Sequence, residues 1–133
     1  MKSVRPPIHI LDEPLTFPLR QAAEQFPNKV AVIEPEADGR EWTYRELEEL
    51  SSALAAALAA LGVQPGDRVA LWLKNSVEYM LSFYGILKAG GIVVPVSTHY
   101  GEREVSHQLE VTSAKGMITA DDRLAHAPLP EKT

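Results

Sequence analysis

Apolar positions along the chain fall into two alternating rhythms. Phe17 to Phe26 carries Leu19, Ala22, Ala23 and Phe26 at the three-and-four spacing of one helical face, with Pro18 in the first turn where its missing N–H costs nothing. A short helix ending at Pro27-Asn28 is expected. Val30 to Ile33 is β-branched and apolar, Glu36-Ala37-Asp38-Gly39 has turn chemistry, and extended spacing resumes at Glu41-Trp42-Thr43. Those segments predict a hairpin. Thr43 followed by Glu46 is a capping-box pattern, so a helix should start at Tyr44 with Leu47, Leu50, Leu54, Ala57, Leu58 and Leu61 facing inward. Gly62 should stop it.

After the Pro65-Gly66-Asp67 turn, Arg68 to Leu73 is apolar on both parities, as expected of a strand covered on both faces. Asn75 is expected to cap the next helix, which is apolar around most of its circumference through Tyr79, Leu81, Phe83, Tyr84, Ile86 and Leu87. Gly90-Gly91 ends it. A second β-branched run, Ile92 to Val96, contains Pro95, which suits a strand end or edge. Glu102 to Thr112 then gives a helical stripe through Val105, Leu109 and Thr112, and Gly116 to Ala120 reads as a short strand. This strand–helix alternation with short connections predicts an α/β fold of parallel-sheet βαβ units, preceded by a helix and a hairpin. The expected organisation is an extension over 1–14, one folded unit over 15–121 and a tail over 122–133.

Composition narrows the function classes. At 133 residues with 45% hydrophobic and 23% charged positions, the chain is sized for one ordinary core. Its net charge of −5 and dispersed Lys and Arg give no footprint for nucleic acid or anionic lipid. The chain has no cysteine, which removes disulfides, thiolate nucleophiles and Cys-ligated metal, and suits a reducing, cytoplasmic compartment. The apolar stretch from Met80 to Val96 is broken by Lys88 and Gly90-Gly91, well short of the roughly 20 residues of a membrane span. The N-terminal residues lack the apolar run of a signal peptide.

Candidate chemistry is sparse. Lys88-Ala89-Gly90-Gly91 has the glycines of a phosphate loop, but it leaves a helix and enters a strand, the reverse of the order that loop requires. His9, His99, His107 and His126 show no i,i+4 pairing suited to metal and are expected to be solvated or capping. Asp121 and Asp122 end a strand, where α/β folds place ligand-binding carboxylates, but the expected reading is a plain turn following the strand. Trp72, Tyr79, Phe83 and Tyr84 are expected in the core rather than around a pocket. Ser76, Ser82, Ser97 and Ser106 lack the small neighbours of a nucleophile elbow. No catalytic, cofactor-binding or metal residue is assigned.

Five ordered blocks carry a family resemblance. Leu19 to Val32, Trp42-Thr43-Tyr44-Arg45-Glu46-Leu47, Leu61-Gly62-Val63-Gln64-Pro65-Gly66-Asp67-Arg68-Val69-Ala70, Asn75-Ser76-Val77-Glu78-Tyr79 with Leu87 to Val96, and Ala114 to Ile118 follow in sequence. In that order they resemble the N-terminal portion of an AMP-dependent synthetase/ligase of the adenylate-forming superfamily, most like acyl-CoA synthetases. The resemblance implies a parent ligase that condenses a carboxylate with ATP to an acyl-adenylate and passes the acyl group to CoA. It implies ATP, magnesium and CoA for that full-length enzyme, none of them held by these residues. The family's Ser/Thr/Gly-rich phosphate loop, Tyr-Gly-x-Thr-Glu segment, ribose-binding aspartate and C-terminal-domain lysine have no counterpart in the sequence. Ser97 to Gly101 departs from the family's Asn-Pro-x-x-Thr, leaving Gly101 at a usual Thr cap. The expected role is scaffold, inactive alone, with the remainder of the ligase as partner and exposed apolar surface on one side of the sheet favouring a homodimer. Two alternatives remain at this point: a stand-alone interaction or receiver-like α/β module, and one subunit of a split ligase.

Overall fold

The computed structural model describes residues 12–120. Asp121, Asp122, His9, His126 and the tail over 122–133 lie outside the described residues, as does most of the extension over 1–14. Helix α1 spans Phe17–Gln25, and strands β1 (Val30–Glu34) and β2 (Arg40–Thr43) form an antiparallel hairpin through a short 3-10 turn at Pro35–Ala37. Helix α2 (Tyr44–Ala60), β3 (Arg68–Trp72), α3 (Val77–Lys88), β4 (Ile92–Pro95), α4 (Glu102–Thr112) and β5 (Gly116–Thr119) follow. The three later strands form a parallel sheet in the order β4-β3-β5, separate from the hairpin.

The capping box at the start of α2 is present: Glu46 N–H donates to Thr43 Oγ1 at 3.2 Å and Thr43 N–H to Glu46 Oε1 at 3.1 Å. The turn between α3 and β4 depends on Gly90, whose φ of +83° is the left-handed conformation that glycine takes without strain. A Cβ there would also lie 3.1 Å from Pro65 Cα. The residue therefore does two jobs, ending a helix and letting two loops touch.

Burial explains why β3 is apolar on both parities. Ala70 and Trp72 face a cluster with Val94, Val96, Val105, Leu109 and Ala114, whereas Val69 faces Leu58 and Ile86 on the opposite side. Helix α4 thus covers one face, and α3 with the end of α2 covers the other. A third cluster of Leu19, Leu47 and Val77 joins α1, α2 and α3 beneath the hairpin. Each fully buried side chain such as Leu71, Ile86, Val69, Val77 and Val105 contributes about 1.5–3 kcal/mol, against about 0–1 for an exposed ion pair, so burial dominates this unit.

Four expectations shift. Helix α2 is rotated relative to the Leu50/Ala57/Leu61 stripe: it buries Leu47, Ser51, Ala55 and Leu58, while Leu50 and Leu61 are 43% and 82% exposed. The reason is close packing on α3, where a Cβ at Gly85 would come 2.9 Å from Leu54 Cδ2, so small side chains face inward. The cap of α3 is Ser76 rather than Asn75, its Oγ accepting the Tyr79 N–H at 3.1 Å. Phe26 falls beyond α1 and is exposed, with the Lys29 ammonium over its ring. The exposed large apolar side chains, among them Ile33, Leu50, Leu61, Ile92 and Val111, are spread over hairpin, helices, loops and one sheet strand instead of gathering on one side of the sheet, and lend no support to a homodimer.

Candidate functional site

A groove of about 840 Å³ opens where the C-terminal end of β3, the start of α3 and the hairpin meet, with Ala120 at its margin. Parallel sheets characteristically present ligand sites at this end of their strands. Its polar floor is built from the hairpin. Glu34 and Arg40 are directly opposed across β1 and β2, so the turn chemistry that closes the hairpin also brings a carboxylate to a guanidinium.

The Glu34 carboxylate gathers three donors. It accepts from Arg40 Nη2 at 2.8 Å and Trp42 Nε1 at 2.9 Å through Oε1, and from the Val77 N–H at 3.3 Å through Oε2. Arg40 also lies 4.9 Å over the Trp42 ring and reaches Glu78 Oε1 at 3.4 Å. The bond from Arg40, then that from Trp42, holds the Glu34 carboxyl below its ordinary range, and the same pairing raises Arg40. This group locks the hairpin onto the start of α3, where a negative charge is favoured by the helix dipole.

At the α3 N-terminus the Val77 and Tyr79 N–H groups already have acceptors in Glu34 and Ser76. Among the described residues, no group of three or more His, Cys, Asp or Glu side chains could hold a metal. The basic groups Arg40 and Lys74 are matched in the lining by Glu34, Glu36 and Glu78.

The other candidates are dispersed. Trp72 is buried and donates its indole N–H to Ser97 O at 3.1 Å. Phe83 and Tyr84 meet edge to face at 5.7 Å, and Tyr84 packs against the Leu19/Leu47/Val77 cluster. Lys88 to Gly91 is a helix end followed by a turn, and Lys88 itself is drawn into the α2–α3 contact. Its Nζ donates to Glu48 O, Ser51 Oγ and Ser52 Oγ at 3.0, 2.8 and 2.9 Å, and pairs with Glu48 Oε2 at 2.9 Å. His99 and His107 are exposed, and Ser82 is buried. At Gly101 only half a capping box forms, Gly101 N–H donating to Glu104 Oε2 at 3.1 Å. Sequence reasoning missed the Glu34 lock, whose one readable signal was an acid and a base flanking the hairpin turn.

The AMP-binding enzyme family profile matches residues 19–133, most of the chain. The chain belongs to that family. It is 42% identical over 100 residues to the long-chain-fatty-acid--CoA ligase FadD13 of Mycobacterium tuberculosis, covering 75% of this chain and 20% of that protein. Among solved structures, the inhibitor-bound N-terminal domain of FACL13 from M. tuberculosis is similar at TM-score 0.76 and 37% identity, covering 82% of this chain and 27% of that one. The Klebsiella oxytoca NpsA N-terminal subdomain in complex with anthranilyl-AMSN matches at TM-score 0.77 and 32% identity, over 86% and 29%. This AMP-binding family chain therefore has the α/β fold of an N-terminal portion of adenylate-forming enzymes and spans about a fifth of the length of the curated ligases it matches. No helix among the described residues is long and apolar enough to cross a membrane.

Proposed function

We propose that this chain is the N-terminal scaffold of an ATP-dependent acyl-CoA synthetase that converts a carboxylate, ATP and CoA to acyl-CoA, AMP and pyrophosphate through an acyl-adenylate. On this reading it is not competent alone. The observation that carries the proposal is the match to a fifth of a long-chain-fatty-acid--CoA ligase, joined to a strand-end groove whose charged floor is spent on holding hairpin and helix together. Groups bound to one another in this way give rigidity to neighbouring loops rather than contacts to a reacting phosphate. ATP, magnesium and CoA would be held by the remainder of the ligase, which brings the phosphate loop and the small C-terminal domain. The cytoplasm is the proposed compartment.

The test is direct. The 133-residue chain with ATP, magnesium ion, a long-chain fatty acid and hydroxylamine should release no pyrophosphate and form no acyl-hydroxamate. The same chain, replacing the matched region of FadD13, should form acyl-CoA. Adenylate made by the chain alone would overturn the proposal.

A further inference from the structure

Helix α2 hides a serine while it shows two leucines. Ser51 is fully buried, with Ala55 and Leu58 buried beside it, whereas Leu50 and Leu61 are 43% and 82% exposed. Turned part of the way about its axis, the same helix would bury the arc of Leu50, Leu54, Ala57 and Leu61 and put Ser51 and Ala55 in water. Removal of apolar area from water favours that second arc. Shape does not decide between the two. The tightest contact on α3 sets Leu54 against Gly85, where an added Cβ would lie 2.9 Å from Leu54 Cδ2, and Leu54 belongs to both arcs. It can serve as the pivot for either.

Lys88 discriminates where shape does not. It is the last residue of α3, its side chain is 13% exposed, and its ammonium meets Glu48 O, Ser51 Oγ, Ser52 Oγ and the Glu48 carboxylate, all on the arc that is buried. At the same level the leucine arc offers Leu47 and Leu50, which carry no oxygen. A largely buried ammonium left without acceptors is penalised more heavily than a leucine left in water. We infer that Lys88 is a positioning residue that sets the rotation of α2, holding it in an arc that apolar burial alone would not choose. The consequence reaches the groove. Thr43 both ends β2 and caps α2, so a turn of α2 would twist the hairpin over the start of α3.

The chain has no cysteine, so a single introduced thiol reports on its own position. Ala55→Cys places one on the buried arc and Ala57→Cys one on the exposed arc. Maleimide labelling of the full chain should be slow at the first and fast at the second. Adding Lys88→Met with Glu48→Gln removes both charges at nearly constant volume and should reverse that order, each rate moving by about tenfold or more as labelling follows local exposure. Adding Leu50→Gln and Leu61→Gln as well takes away the apolar gain of the rival arc and should restore the original order. Circular dichroism and a urea midpoint accompany every variant. An unchanged order in folded Lys88→Met, Glu48→Gln protein overturns the inference, because Leu54 against Gly85 would then suffice. Fast labelling at both positions overturns it too, since α2 would have come loose rather than turned. Failure of the double variant to fold likewise overturns it: the pair would then hold the helices together instead of choosing their setting.

Discussion

The parallel sheet with its helices and the hairpin with its groove are stabilised by different physics. In the former, Leu71 and Ile86 are fully buried, and α2 approaches α3 closely enough that Gly85 has no room for a side chain. In the latter, a single carboxylate collects three donors from β2 and α3 at a partly exposed position. Packing dominates the first region, and in the second directed polar bonds add to the apolar contacts beneath the hairpin. The lesson is that a scaffold can keep its core indifferent to solution conditions while one surface element stays adjustable.

Substitutions can break this contrast at either end. Leu71→Ala should cost the most, about 2–5 kcal/mol in a urea midpoint series, because it opens a cavity at the centre of the sheet. Lys88→Ala should cost about 2–3 kcal/mol, since the Lys88 side chain is only 13% exposed and its loss strands Glu48; a Lys88→Met, Glu48→Gln double variant should regain most of that. Recovery absent in the double variant would mean that the ion pair matters less than the packing of its stem. Thr43→Ala removes one half of the α2 capping box and should cost about 1 kcal/mol in the same assay.

Glu34→Gln should act most narrowly, speeding amide exchange in β1 and β2 while leaving Ala70 and Leu71 unchanged. Its pH signature has a definite sign. Because the carboxyl is held below its ordinary range in the folded chain, the wild-type advantage over Glu34→Gln is present above about pH 4–4.5 and is lost as pH falls through the lowered value. An advantage that instead grows on acidification would show that the carboxylate is not what fastens the hairpin.

Much of the fold was legible because its boundaries are marked chemically. Thr43 with Glu46, Gly62 and Gly90 each impose a local backbone state, and the elements they delimit fall where the sequence placed them. The inward face of α2 was less legible. An alanine-rich helix presents several apolar arcs of similar quality, and only contact with Gly85 and Lys88 on another helix selects the one containing Ser51 and Ala55. Asn75 and Ser76 are both good caps, and the extended backbone at Ser76 decides between them. The groove was illegible for a different reason. Glu34, Arg40, Trp42 and Val77 meet across a hairpin and a distant helix start, a relation that no short periodicity encodes.

The ammonium of Lys88 carries one more implication. A primary amine has three protons as a cation, and here they are shared among four oxygens, two serine hydroxyls, a main-chain carbonyl and the Glu48 carboxylate. Ringed by these oxygens and only 13% exposed, the nitrogen is shielded from an electrophile. Amine-reactive labels should therefore spare Lys88 while the two helices stay together and mark it once they part, which makes it a built-in chemical reporter of that contact.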